Sequence, residues 1–280
     1  MLTIERLSLN PFSGVVPENG HHLTLSDIKK NVIISKDIHS CPTRLICLEN
    51  TLGGTVLPLL ELRTISAFAK EHNIRIHLDG ARLWEAVAAG HGSLTDYVAL
   101  VDSVSLCFSK GLGAPAGSIL IGKKDFIAHA RWVRKSIGGG LRQTGVLTSA
   151  MRVALDETFG TDVDGKNGKL RATHAVAKRI AARWEELGGK LEFKTETNMV
   201  WLNLVDAGTS AAEFVKLGKQ EGLKLLSGRL VVHYQISEEA VEKLERLMEK
   251  VLENKADKMN GSNRTTGREA AAGERVYGFN

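Results

Sequence analysis

Apolar residues along this chain recur in two alternating rhythms. Arg44-Leu45-Ile46-Cys47-Leu48-Glu49 is an apolar run of strand length that ends in polar residues. A helix-period segment from about Leu57 to His72 follows, then an apolar strand over Ile74–Leu78, a second helix over Leu83–Ala89 and a strand over Ser103–Phe108. A further strand at Ser118–Ile121 leads into a helix from Lys123 to Lys135, and Leu23-Thr24-Leu25-Ser26-Asp27-Ile28 opens a short helix ahead of the whole series. Strands alternating with helices predict crossover units on a mostly parallel sheet, an α/β architecture.

The rhythm changes after the Gly138-Gly139-Gly140 run. Gly145 to Leu187 reads as helix apart from a polar Gly160-to-Gly168 loop. Beyond it come short strands at Leu191–Phe193, Met199–Leu204 and Arg229–His233, with helices at Ser210–Gln220 and Glu238–Leu252. That pattern predicts a small α+β domain. The expected organisation is an irregular lead-in over 1–22, where Asn10-Pro11, Ser13-Gly14 and Asn19-Gly20 are turn signals, and a partial large domain over 23–160. The small domain with its connecting helix takes 161–254, and a tail over 255–280 is too polar to fold.

Composition narrows the class without choosing a function. With 280 residues, 43% hydrophobic and 25% charged, the chain can bury a sizeable core. Its net charge of +5 comes from basic residues mixed with acids along the chain, which reads as solvated surface rather than a nucleic-acid footprint. The three cysteines, Cys41, Cys47 and Cys107, have neither disulfide nor metal-ligand spacing. No apolar stretch is long enough to cross a bilayer and no secretory leader is evident, so a cytoplasmic location is expected.

The candidate chemistry sits where strands end. In Ile76-His77-Leu78-Asp79-Gly80-Ala81-Arg82 a carboxylate closes an apolar strand, and ligands of such sheets bind at the carboxyl ends of the strands. Asp79 could equally cap the next helix. Lys110 also follows a strand, in a loop bounded by Gly111, Gly113 and Pro115, where small residues let a planar group approach the backbone. Alone it would read as a solvated lysine beside a turn. Together, Asp79 and Lys110 form the device that pyridoxal phosphate (PLP) chemistry needs: a lysine for the Schiff base and an acid to hold the ring nitrogen protonated. Arg82 shares the Asp79 segment, and Arg229 opens an apolar strand where charge is costly unless paired. Either guanidinium suits a substrate carboxylate. Arg142 follows the glycine run, a place that could meet phosphate, although a hinge explains the glycines equally well. His77, His233 and the four tryptophans read as packed residues.

Four ordered segments carry a resemblance. Leu48-Glu49-Asn50-Thr51, His77-Leu78-Asp79-Gly80-Ala81-Arg82, Ser109-Lys110-Gly111-Leu112-Gly113-Ala114-Pro115 and Arg134-to-Gln143 are similar, in words and in order, to the successive motifs of the low-specificity L-threonine aldolase family, its fungal branch especially. The resemblance runs from about Val15 to about Leu252. It implies a PLP-dependent fold of the aspartate aminotransferase type, homodimers or homotetramers, and a small β-hydroxy amino acid as substrate. It further implies Lys110 as the Schiff-base lysine, Asp79 as partner of the ring nitrogen, and Arg82 and Arg229 as holders of the substrate carboxylate. His39 matches a family histidine near the substrate side chain, and Arg142 the arginine of the glycine-run motif.

The implied reaction is retro-aldol cleavage of L-threonine or L-allo-threonine to glycine and acetaldehyde. Racemisation or β-elimination on the same fold is the alternative, because Asp79 and Lys110 stabilise a carbanion without choosing which bond breaks. The family's phosphate-binding Gly-Thr loop and ring-stacking histidine have no counterpart in Met1–Asn31. An N-terminally truncated large domain is therefore expected, with an inactive remnant as the third alternative.

Overall fold

The structure is a computed structural model that describes residues 2–6, 12–35, 37–162 and 164–262. In chain order its elements are strands β1 (Leu2–Arg6) and β2 (Phe12–Val15), helix α1 (Leu25–Asn31), β3 (Thr43–Glu49), α2 (Leu59–Glu71), β4 (Arg75–Asp79), α3 (Leu83–Ala88), α4 (Leu94–Val98), β5 (Ser103–Cys107), β6 (Ser118–Gly122), α5 (Lys124–Ser136), α6 (Gly145–Ala154), a π-helical turn (Leu155–Phe159), α7 (Leu170–Glu186), β7 (Leu191–Phe193), β8 (Met199–Leu202), α8 (Ala211–Gln220), β9 (Arg229–Val231) and α9 (Glu238–Ser262).

The expected α/β core is present. Six strands form one sheet in the order β2-β1-β3-β4-β5-β6. Its parallel pairs are confined to β3, β4 and β5, while β6 runs antiparallel to β5 and β1 antiparallel to both β2 and β3, so the sheet is mixed. The strands β1 and β2 lie where an irregular lead-in was expected. They pair with each other, and β1 joins the sheet through a neighbour distant in sequence, Ile4 standing opposite Ile46, of which local turn residues carry no sign. The tail expected from residue 255 begins as helix, because α9 runs on to Ser262; residues 263–280 lie outside those described.

Alternation along the central strands decides which way each side chain faces. Ile46, Leu48, Ile76, Leu78, Val104 and Leu106 are buried on one face, covered by Leu62, Ile65 and Ala69 of α2 and by the fully buried helix α3. On the other face Cys47, Glu49, His77, Ser103, Ser105 and Cys107 are half-buried and Arg75 and Asp79 exposed. Parallel sheets usually have both faces covered. Here the second face is the more open one, and α5 beyond it buries none of its residues, leaving Trp132 67% and Ile137 78% exposed.

Local signals explain the helix starts. Thr24 and Asp27 form a capping box at α1, and Ser93 and Asp96 form another at α4. Along α7 the buried residues Leu170, Thr173, His174, Ala177, Ile180, Ala181 and Trp184 make one stripe. Leu170 belongs to the sheet's hydrophobic cluster and Ala177 onward to a second cluster built on the antiparallel sheet β7-β8-β9 and α9, so one helix serves both cores. Polar bonds also tie the two. Val56 N–H donates to Glu196 Oε2 at 2.7 Å, Thr197 Oγ1 to the Gly54 carbonyl at 2.7 Å, and Trp201 Nε1 to the Gly53 carbonyl at 2.7 Å. Among the described residues no helix is long and apolar enough to cross a membrane, and no disulfide joins the cysteines.

Gly80 sits where strand β4 turns toward α3. Its N–H donates to the Ser105 carbonyl at 2.9 Å, and a Cβ there would stand 2.9 Å from that same oxygen and 3.0 Å from both Leu106 Cδ2 and Val104 Cγ2. Gly80→Ala is expected to lower the free energy of unfolding by about 1–3 kcal/mol, the usual cost of overpacking. Chemical denaturation measures it; an unchanged midpoint would contradict the close approach.

Candidate active site

The site is built at the carboxyl ends of β3, β4 and β5. Parallel register sets Glu49 opposite Asp79 and Asp79 opposite Ser105. Two residues past the end of β5 the chain enters the lysine loop, which folds on itself: Gly113 N–H donates to the Lys110 carbonyl, and Ala114 N–H to the Phe108 carbonyl, each at 2.9 Å. Gly113 adopts φ +77°, open to glycine, and Tyr234 Oη stands 2.7 Å from where its Cβ would be. Lys110 is exposed, and its side chain makes no hydrogen bond or ion pair among the described residues. Its amine is thus available to an incoming carbonyl.

Asp79 is exposed, and its Oδ1 accepts from Ala81 N–H at 3.0 Å. This is a turn bond rather than a helix cap. The N-cap of α3 is Arg82, which makes no side-chain capping bond and so keeps its guanidinium for other partners. Arg82 is half-buried. Burial and, next, the charge of Arg229 hold its guanidinium below the ordinary arginine range, while Glu49 and Glu85 act against them. The structure therefore brings together two arginines that sequence analysis drew from opposite ends of the chain. Arg229 is held over the Trp201 ring, 5.6 Å from its centre, and Trp201 is itself hydrogen-bonded to the loop after β3. Two guanidiniums that repel each other gain from an anion placed between them.

Glu49, quoted above only as part of a motif, is a member of this cluster. Burial raises its carboxyl above the ordinary range and the charge of Asp79 adds to the rise, whereas Arg82 and Lys110 oppose it. One carboxyl thus senses Asp79, Arg82 and Lys110 together. Its signal was available in sequence as an acid closing an apolar strand, the same signal that singled out Asp79.

His39 and Arg142 stand apart. His39 is exposed in a turn, its N–H donating to Asp37 Oδ1 at 2.7 Å. Arg142 is exposed in a bend ahead of α6, which begins at Gly145. The glycine run before it folds back on α5: Gly139 N–H donates to the Arg134 carbonyl at 2.8 Å. Neither residue makes a side-chain hydrogen bond or ion pair among the described residues. A cavity of about 540 Å³ lies at the opposite end of the sheet, lined by Arg75, Asp102, Ser103 and Lys123, and includes none of the predicted site residues.

The donor set fits PLP on the side of the ring that these residues can reach. It offers a free amine, a carboxylate one strand away, and two paired cations for an α-carboxylate. No group of three or more metal-ligating side chains occurs among the described residues.

Comparison with known proteins gives the same assignment. The family model described as Beta-eliminating lyase matches residues 5–207. The chain is 52% identical over 240 residues to aldolase vrtJ of Penicillium aethiopicum, covering 86% of this chain and 60% of that protein. It is 45% identical to alanine racemase TOXG of Cochliobolus carbonum, covering 89% and 64%, and 43% identical to the low-specificity L-threonine aldolase of Eremothecium gossypii, covering 86% and 61%. The chain thus spans about three fifths of the length of these relatives. In fold it is similar to the threonine aldolase of Leishmania major, with a TM-score of 0.64, 22% identity, and coverage of 84% and 68%. The family model, matching most of the chain, establishes that this chain belongs to the PLP-dependent beta-eliminating lyase family.

Proposed function

We propose that this chain carries the lysine-bearing part of a carbon–carbon lyase that cleaves L-threonine and L-allo-threonine to glycine and acetaldehyde. The observation that carries the reading is the convergence of Asp79, Lys110, Arg82 and Arg229 on one end of the sheet, three of them sensed by the single carboxyl of Glu49. When bound, PLP supplies the electron sink for the charge left at Cα as the Cα–Cβ bond breaks.

The chain's own residues do the rest. Lys110 provides the amine that anchors the cofactor and, once exchanged for substrate, is free to carry a proton. Asp79 holds a proton on the ring nitrogen. Arg82 and Arg229 grip the substrate carboxylate and so fix which bond at Cα stands ready to break. For His39 and Arg142, which stand apart from this cluster within the chain, the family resemblance alone supports roles in removing the β-hydroxyl proton and in binding the cofactor. Asp79 and Lys110 are exposed, in keeping with assembly as a homodimer or homotetramer whose subunits close over the site. A cytoplasmic location completes the reading.

A second outcome, racemisation of alanine, is favoured by one finding, the 45% identity to alanine racemase TOXG. The same residues labilise Cα there, and a proton rather than the side chain leaves.

Purified protein supplied with PLP is expected to release acetaldehyde from L-threonine, and Lys110→Ala to lose at least on the order of 10²-fold in rate, the scale of a lost proton-transfer group. A coupled alcohol dehydrogenase assay measures it. Formation of D-alanine from L-alanine without acetaldehyde would replace the lyase by the racemase. Arg229→Leu should raise KM for L-threonine roughly ten- to hundredfold, with a smaller change in kcat, as expected for losing a charge-assisted hydrogen bond. An unaltered KM would remove Arg229 from the carboxylate site.

A further inference from the structure

Beneath the lysine loop lies a pair of titratable groups that the reaction as described does not use. Glu85, on the fully buried helix α3, is 2% exposed at its side chain, and His174, on α7, is 6% exposed. His174 Nε2 and Glu85 Oε2 are 2.7 Å apart. The other carboxylate oxygen, Glu85 Oε1, is buried with no hydrogen-bond partner. Leaving such an acceptor unpaired costs about 1–3 kcal/mol or more, and an apolar residue of similar size would avoid the cost.

What Oε1 does touch is the lysine loop. A Cβ built on Gly111 would overlap Glu85 Oε1 and come within 3.1 Å of Glu85 Cδ and 3.5 Å of Leu170 Cδ2. The φ of Gly111 is not in the left-handed region, so glycine is required there by space and not by conformation. The carboxylate therefore presses on the Cα of the residue next to Lys110, within range of a weak C–H···O contact. Both ends of the support are fixed. Trp84 Nε1 donates to the Cys107 carbonyl at 3.0 Å, tying α3 to the end of β5, and Arg171 Nε donates to the Ala88 carbonyl at 2.9 Å, tying α3 to α7. Glu85 also lies close enough to Arg82 and His233 to favour their protonated forms against the burial that lowers both.

We infer that Glu85, braced by His174, is a positioning residue for Lys110: the buried carboxylate seats Gly111 and so fixes where the lysine amine stands. The inference rests on the reading of Lys110 as the cofactor lysine. Glu85 touches neither cofactor nor substrate and acts through the loop backbone. Gly111 is glycine because Glu85 is there.

The test uses PLP as the probe. Each variant is incubated with PLP and reduced with borohydride, so that the imine formed with loss of water becomes a stable secondary amine, and peptide mass spectrometry locates the adduct. Visible circular dichroism before reduction reports how rigidly the lysine-borne ring is held, and thermal melting checks the fold. In the wild type the adduct is expected at Lys110. Glu85→Ala and His174→Ala should lower labelling at Lys110 and the dichroic band by roughly fivefold or more, with labelling of other lysines unchanged. Glu85→Leu, which keeps the site packed but removes the carboxylate and its bond to His174, serves if Glu85→Ala fails to fold. Gly111→Ala should lose Lys110 labelling, and Gly111→Ala/Glu85→Ala should regain it to the level of Glu85→Ala. Labelling and dichroism equal to wild type in the folded Glu85 and His174 variants would overturn this inference alone. Absence of a Lys110 adduct in the wild type would overturn the reading of Lys110 and this inference with it.

Discussion

The parallel register of β3, β4 and β5 is the constraint on which the rest of this molecule depends. Because the three strands run the same way and in step, their last residues arrive together: Glu49 beside Asp79, Asp79 beside Ser105, and the lysine loop just beyond. Period-two alternation then turns Asp79 and Glu49 to the face opposite the core. A slip of one residue in β4 would turn Asp79 toward Ile46, Leu48 and Val104 and expose Ile76 and Leu78, so the hydrophobic core and the chemistry specify the same register.

Electrostatics at that edge follow from the same geometry. Arg82 comes from the turn after β4 and Arg229 from the small antiparallel sheet, so the proposed carboxylate site draws on both halves of the chain. The bonds from Val56, Gly53 and Gly54 to the segment around β8 are what hold the two halves of that site at a fixed separation. Burial and the charge of Arg229 weaken Arg82 as a base, and the acids Glu49 and Glu85 act against them. Specificity between breaking a carbon–carbon bond and removing a proton is then a question of how the substrate carboxylate is held, consistent with aldolases and a racemase standing among the relatives.

Much of this was legible in the sequence, and what was not has physical reasons. Apolar runs of strand length and helical period located every central element, and Asp79 and Lys110 stood out because polar residues at strand ends must face something. The short helix α4 escaped notice although Ser93-Leu94-Thr95-Asp96 carries its capping box; five residues are too few to show a period. The strands β1 and β2 were hidden because β2 joins the sheet only through β1, and β1 through β3, some forty residues away. Glu85 and His174 are 89 positions apart, and no local pattern couples them. Glu49 carried the right signal but was quoted only within its motif. His39 entered through the family resemblance alone and Arg142 also through the glycine run before it, and both stand in exposed turns and bends that sequence spacing does not orient.

The central claim is that Lys110 anchors PLP at this strand edge. The most direct measurement is the absorbance spectrum of the purified protein titrated with PLP, alongside that of Lys110→Ala. A Schiff-base band near the visible edge that saturates in the wild type and is absent from the folded variant is the predicted result. A band of equal strength in Lys110→Ala, or none in the wild type at saturating cofactor, would contradict it.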